Sequence, residues 1–362
     1  MNRAEHELEF PWKSPPEAGT VQELRPGLYW LRMPLPFALN HINLWLLEDE
    51  IDGRGGFSAI DCGIADDPTR NAWEALFDRA FGERPLLRVI ATHFHPDHLG
   101  LAEWLSRGGD RRRWTAPVWM TAAEYTIGRL LSSAGTAEAQ PDGGAQCRFY
   151  EENGVTAEEA ARRARARGPR RYARLVPAVP STYRRIQDGE SISIGPACSP
   201  RRFRVLTGFG HAPEHVSLMC DRDRILISGD MVLPTISTNI SVYENEPEAD
   251  PLARYLESLR RLSALPPDTL VLPSHGLPFF GLPARIRQLE QHHSERLDET
   301  LRACAFLRTA DELLPVLFPR PLDEHQVGFA FGETLAHLHM LWRQGRVKRA
   351  RANDGIYRFS RV

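Results

Sequence analysis

Residues 91–100 read ATHFHPDHLG, which puts His93, His95, Asp97 and His98 within six positions. Two residues apart at a strand end, His93 and His95 aim their rings to the same side. Pro96 breaks the strand, and Asp97 and His98 then turn towards a neighbouring point. That layout suits two adjacent metal ions better than one. A His-x-His pair alone arises by chance. The full run directly after the apolar strand LLRVIATH is far more specific. Three more candidates close apolar runs: His211 after RFRVLTGFG, Asp230 after RILISG and His275 after TLVLPS. Open α/β sheets place ligands at the carboxyl ends of their strands. Nitrogen and oxygen donors without a thiolate suit zinc, with iron or manganese compatible. The other histidines are expected elsewhere. His215 is read as a support for its own loop, His292 and His293 as solvated on a helix face, and His337 and His339 as packing or surface residues.

The elements that must position these residues alternate. GLYWLRMPLP, HINLWLLED and FSAIDCG read as strands. DPTRNAWEALFDRAF has Trp73, Leu76, Phe77 and Phe81 at helical spacing. LGLAEWLSR reads as one helix, and APVWMTAAEY as a strand running into a helix start. From about 121 to 185 the pattern turns into a helical insertion. Within it AGTAEAQPDGGAQ is loop-like, and TAEEAARRARARG is helical, with Thr156 and Glu159 as a capping box and Gly168 as a stop. Strands resume with ESISIG, RFRVLTGFGH, VSLMCDRDRILISGD and TLVLPSHG. The last part reads as a long helix, a second helix capped by Thr309 and Glu312, an amphipathic helix ending at Gly345, and a hairpin around Asn353, Asp354 and Gly355. The expected division is an N-terminal extension over 1–23, an α/β domain over 24–285 and a winged-helix-like domain over 286–362.

The bulk numbers set limits. The 362 residues are 42% hydrophobic, enough for one large domain with a small one attached. A net charge of -2 supplies no global field towards nucleic acid or membrane. No apolar run is long enough to span a bilayer, and the polar, proline-rich start lacks the apolar core of a secretory signal. The five cysteines, Cys62, Cys147, Cys198, Cys220 and Cys304, are scattered and odd in number. They fit reduced thiols and a cytoplasmic location. A homodimer is compatible with these numbers.

THFHPDHLG, GHAPEH, ISGD and PSHG, in that order over residues 24–285, resemble the metallo-β-lactamase-fold hydrolases. IDCG at 60–63 is similar to the family's first-strand signature. The resemblance implies an αββα sandwich with a dinuclear site at one edge. By position, His93, His95 and His211 would hold the first divalent ion. Asp97, His98 and His275 would hold the second, with Asp230 bridging and Asp97 also acting as the catalytic proton carrier. Asp230 stands where the commonest zinc β-lactamases carry cysteine, and His98 where they lack a histidine. The chain is therefore more similar to the glyoxalase-II, lactonase and nuclease branch. Leu233 stands where the lactonases place a tyrosine, and Tyr243 is a weak substitute. The tail resembles that of a winged-helix subgroup, some of whose members cut single-stranded RNA.

The expected activity is metal-dependent hydrolysis, by a metal-bridging hydroxide, of a small-molecule ester, thioester or lactone. The alternative is a phosphodiesterase such as a single-strand endoribonuclease. WRQGRVKRAR in the tail and ARRARARGPRR in the insertion are the features that could serve nucleic acid, or another anion. Near-neutral charge puts the acyl substrate first.

Overall fold

The computed structural model describes residues 7–82, 84–134, 144–167 and 169–362. The expected helix stop at Gly168 and the core of the expected loop, 135–143, lie outside the described residues.

Two sheets face each other. The first has seven strands in sequence order: β1 (Gln22–Arg25), β2 (Leu28–Pro34), β3 (His41–Ile51), β4 (Arg54–Ile60), β5 (Leu86–Ile90), β6 (Val118–Met120) and β7 (Arg184–Arg185). β1 to β4 form an antiparallel meander, and β4 to β7 run parallel. The second sheet comprises β8 (Ser191–Ile194), β9 (Arg201–Gly208), β10 (His215–Cys220), β11 (Ile225–Gly229) and β12 (Leu270–Pro273). Its first four strands are antiparallel, and β12 joins β11 in parallel.

The central strands, such as β5, β10, β11 and β12, are buried on both faces because both faces are covered. Along β2, Leu28 and Trp30 point into the layer between the sheets, where they meet Phe203, Val216 and Ile227. Leu31 and Met33 point the other way, towards α1 (Asp67–Arg79) and its Trp73, Leu76 and Phe77. On the second sheet, Met219, Leu226 and Val271 pack outward on α8 (Pro251–Ser263), through Leu252, Tyr255 and Leu259. The result is helix, sheet, sheet, helix, the expected αββα sandwich. Asn43 joins the sheets: its amide donates to the carbonyls of Pro273 and Gly276, both at 2.9 Å, while its own oxygen accepts from Trp30 Nε1.

LGLAEWLSR does not form one helix. It splits into α2 (Pro96–Leu99) and α3 (Ala102–Ser106). The break falls where α2 packs on the loop after β4. A Cβ on Gly100 would stand 2.7 Å from both Ala65 N and Gly63 O.

The insertion contributes α4 (Ala122–Ala134), α5 (Gly144–Glu152), α6 (Ala157–Arg167) and α7 (Pro169–Leu175). Thr156 caps α6 through Glu159 N at 3.4 Å. The Glu159 carboxylate turns to Arg162 and Arg163 instead of completing a capping box.

The tail holds α9 (Leu282–Ala303), α10 (Ala310–Leu317), α11 (Glu324–Arg343) and a hairpin of β13 (Val347–Arg351) and β14 (Tyr357–Arg361). Thr309 and Glu312 form the expected capping box. The tail shares its core with the α8 layer. Ile286, Leu289, Phe331, Leu335 and Phe359 belong to the same buried cluster as Tyr255 and Met219. Among the described residues, no helix is long and apolar enough to cross a membrane.

Candidate metal centre

All seven candidate ligands lie at one edge of the sandwich, each just past a strand's carboxyl end or in the short helix that follows. They form two groups. His93, His95, His211 and Asp230 can each offer one atom within 4.8 Å of the others, and so can Asp97, His98 and His275. Asp230 faces both groups. Its Oδ2 lies 3.4 Å from His211 Nε2, and its Oδ1 lies 3.5 Å from His98 Nε2 and from His275 Nε2. Asp97 Oδ2 lies 3.4 Å from His275 Nε2 and 3.7 Å from His98 Nε2. His93 and His98 are sealed, while His95 and Asp97 are half-buried, so the centre opens over those two.

The neighbours decide which ring nitrogen each histidine presents. His211 Nδ1 is 2.8 Å from the Asn239 carbonyl, and His275 Nδ1 is 2.8 Å from the His41 carbonyl. A carbonyl only accepts, so both Nδ1 atoms carry the proton and both Nε2 atoms keep a lone pair. His98 Nδ1 donates to Asp61 Oδ2 at 2.8 Å. Thr92 Oγ1 gives its proton to Asp61 and accepts from His93 Nδ1 at 3.0 Å. Such outer partners fix tautomer and ring orientation in metal sites.

The donor set fits a cation. The bare Nε2 of His93 lies 3.2 Å from the bare Nε2 of His211 and 2.9 Å from His95 Nδ1. Two lone pairs facing each other repel unless a positive charge sits between them. The buried His98 Nε2 and Asp230 Oδ1 have no hydrogen-bond partner. Burial pushes the His93 and His95 imidazoles down, His95 to about 3, and the crowded histidines push the same way. Burial alone would raise the Asp97 carboxyl, but His98 and His275 outweigh it and hold Asp97 down at about 2. The same two histidines hold Asp230 well below the usual carboxylate range against its burial. Burial would lower His98, yet the carboxylates of Asp61, Asp97 and Asp230 raise it. Neutral His93 and His95 thus stand beside two ionised carboxylates that raise His98 and His275, and a bound cation would take the place of the protons those two rings attract.

Several residues that aim these ligands are not evident as such in the sequence. Asp61, just past β4, has a left-handed backbone with φ 65° and accepts from Thr92 N at 2.7 Å as well as from His98. A non-glycine residue there is strained by about 1–3 kcal/mol, which its buried hydrogen bonds offset. His215 opens β10 and accepts from Asp230 N at 3.0 Å, so it supports the loop of Asp230 rather than, as the sequence suggested, its own. Gly229 leaves no room for a side chain against the His215 ring. Phe94, between two candidate ligands, is held at both backbone groups by the insertion. Its N–H donates to Glu124 at 2.9 Å, and its carbonyl accepts from Tyr172 OH at 2.6 Å. Glu124 also accepts from Glu214 N at 2.6 Å, tying the loop of His211 to that of His93. Its isolation as a buried acid in an otherwise alanine-rich helix start was the available signal.

His292, His293, His337 and His339 lie in the tail, and His293 does not face solvent as expected. It is fully buried between α9 and α11, against His337. Its position follows the buried stripe Ile286, Leu289, Leu297 and Thr300. His337 and His339 are buried as well, within the packing. Leu233 is core, and its carbonyl accepts from Arg285 of α9 at 2.6 Å.

Residues 42–275, more than half of the chain, match the Metallo-beta-lactamase superfamily. This chain belongs to that superfamily. Residues 297–362 match the Metallo-beta-lactamase-like, C-terminal domain. "Probable metallo-hydrolase YqjP" of Bacillus subtilis (strain 168) is 26% identical over 324 residues, covering 86% of this chain and 91% of that protein. The crystal structure of a beta-lactamase domain protein from Burkholderia ambifaria is 49% identical and superposes with a TM-score of 0.91, covering 100% of both chains. A metallo-beta-lactamase family protein from Thermus thermophilus is 29% identical with a TM-score of 0.73, covering 94% of this chain and 100% of its own. The protein is a metal-dependent hydrolase of the metallo-beta-lactamase superfamily.

Proposed function

We propose that the protein uses two divalent ions, zinc by donor type, to hydrolyse a small-molecule ester, thioester or lactone. His93, His95 and His211 would hold one ion and Asp97, His98 and His275 the other, with Asp230 facing both. The observation that carries this is Asp230, whose two oxygens face separate ligand groups. Ions held there supply a hydroxide nucleophile near neutral pH and polarise the bond under attack. The chain's own residues orient and move protons. Asp97, ionised and half-open to solvent, accepts a proton from the attacking group and passes it to the leaving group. Asp61 keeps the His98 lone pair aimed inward. Glu124 and Tyr172 keep the peptide between His93 and His95 from turning. In this reading residues 24–285 carry the chemistry, and the winged-helix-like 286–362 supports it from behind α8. The free cysteines suit a cytoplasmic enzyme.

The arginine runs favour acyl chemistry over RNA cleavage. Arg163 of the insertion pairs with Asp311, while Arg346, Arg349 and Arg351 of the tail pair with Asp298, Glu248 and Glu152. Cations engaged by acids make a poor phosphate-tracking groove. The test assays the zinc-loaded protein on thioester, lactone and single-stranded RNA panels, with and without chelator. Chelator-sensitive acyl hydrolysis that Asp230→Ala lowers by more than about a hundredfold is expected, since outer-shell changes alone cost 10–100-fold. Chelator-sensitive RNA cleavage without acyl hydrolysis would overturn the substrate class. Undiminished turnover by Asp230→Ala would overturn the bridge.

A further inference from the structure

A second group of metal-type ligands lies outside the sheet edge, between α9 and α11. His292 and His293 of α9 and Glu333 of α11 can each offer one atom within 4.8 Å of the others. A chain of hydrogen bonds sets the tautomers behind them. His337 Nδ1 lies 2.8 Å from the Glu333 backbone carbonyl, so it carries the proton and its Nε2 is an acceptor. His293 Nδ1 lies 3.4 Å from His337 Nε2, so its proton points there. His293 Nε2 is left with a lone pair, buried and without a hydrogen-bond partner. An imidazole that gives its Nδ1 proton to a fixed acceptor and keeps a bare, buried Nε2 is arranged like a metal ligand.

Glu333 points the same way. Its carboxylate makes no hydrogen bond or ion pair among the described residues, and burial pushes it up to about 7. Arg296, whose charge reaches Glu333, is itself engaged by Glu299 and the Leu317 carbonyl. His292 and Glu333 are half-buried, so an ion can reach them from solvent, while His293 and His337 close the inner side. The Tyr255 ring of α8 stands 5.7 Å from that of His293.

We propose that His292, His293 Nε2 and Glu333 bind a third divalent ion that clips α9 to α11, the two long helices of the tail. Two imidazoles and one carboxylate, with a position left for water, suit zinc or cobalt and do not suit magnesium or calcium. The role is structural, because no described residue of the sheet-edge centre belongs to the group. Binding to the folded state alone would stabilise the tail.

The test uses the full chain, titrated with zinc against a chromophoric chelator, as wild type, Glu333→Gln and His292→Ala. The Glu333→Gln change keeps the size of the side chain, and residue 292 is half-exposed, so both variants retain the fold. The wild type is expected to hold about one zinc more per chain than either variant, and excess zinc is expected to raise its melting midpoint more. Asp230→Ala separates the two centres: the tail ion stays while the edge loses its own. Equal zinc counts in the wild type, Glu333→Gln and His292→Ala would overturn the proposal.

Discussion

The sheet edge and the tail both bury histidines, but they hold them by different means. At the edge, the groups that fix three of the rings come from distant parts of the chain. Asp61 fixes His98, the His41 carbonyl fixes His275, and the Asn239 carbonyl fixes His211. In the tail, His337 is fixed by the carbonyl one turn earlier in its own helix. The geometry of the edge therefore depends on the packing of both sheets and the insertion, while that of the His293–His337 pair depends mainly on two helices. A defect in an edge anchor should appear first as lost metal. A defect in the tail core should appear first as lost stability.

Asp61→Asn is the sharpest probe of the first half of that contrast. Asn keeps the size but turns one oxygen into an amide donor. It cannot accept from Thr92 N, Thr92 Oγ1 and His98 Nδ1 together. We expect a 10–100-fold loss of zinc affinity at the edge, the range for outer-shell partners of metal ligands. Competition with a chelator measures it. Unchanged affinity would mean that the short helix α2 alone orients His98.

Phe331→Ala probes the second half. Phe331 is buried where α11 meets Tyr150 and Phe149 of the insertion, with the Tyr150 ring 5.1 Å away. Removing the ring should cost about 3–5 kcal/mol of stability. Denaturant unfolding should show this, while the folded fraction keeps its edge ions. Loss of those ions from folded protein would break the distinction, because it would show that the tail core sets edge geometry.

The same contrast explains what could be read from the sequence. The candidate ligands stood out because each closes an apolar strand or follows one within a turn, and strand ends in such a sheet converge on one edge whatever lies between them. The order of strands and helices followed from local periodicity for the same reason. The anchors were harder. Glu124 and Tyr172 act on a backbone, Phe94, and an N–H or carbonyl has no sequence signature. Asp61 lay inside a recognisable motif, but its grip on Thr92 and His98 depends on how two parallel strands align. The break between α2 and α3 depends on contact with the loop 63–65, which helix periodicity does not record. His293 was legible in principle, since it continues the stripe of Ile286 and Leu289. A polar residue type outweighed its position in the repeat.

The smallest effect is expected at His339, which tests whether tail histidines matter through proton uptake alone. Its Nδ1 donates to the Ala249 carbonyl at 2.8 Å, and its buried Nε2 has no partner. Burial lowers its pKa to about 4, and the nearby Arg349 and Arg343 push the same way, against the Ala249 hydrogen bond. In the unfolded chain an ordinary histidine titrates near 6.5. Above that value both states are neutral and the residue adds no pH dependence. As pH falls from about 6.5 to 4, the unfolded chain takes up a proton that the folded chain refuses, so stability falls by on the order of 1 kcal/mol per pH unit. Below about 4 both states are protonated and the loss levels off. His339→Gln keeps a donor for Ala249 and does not titrate. Urea midpoints at pH 7 and pH 5, measured with chelator present so that ligand protonation at bound metal does not intrude, should drop further for the wild type than for the variant. Equal drops would show that His339 adds nothing to the acid sensitivity of the molecule.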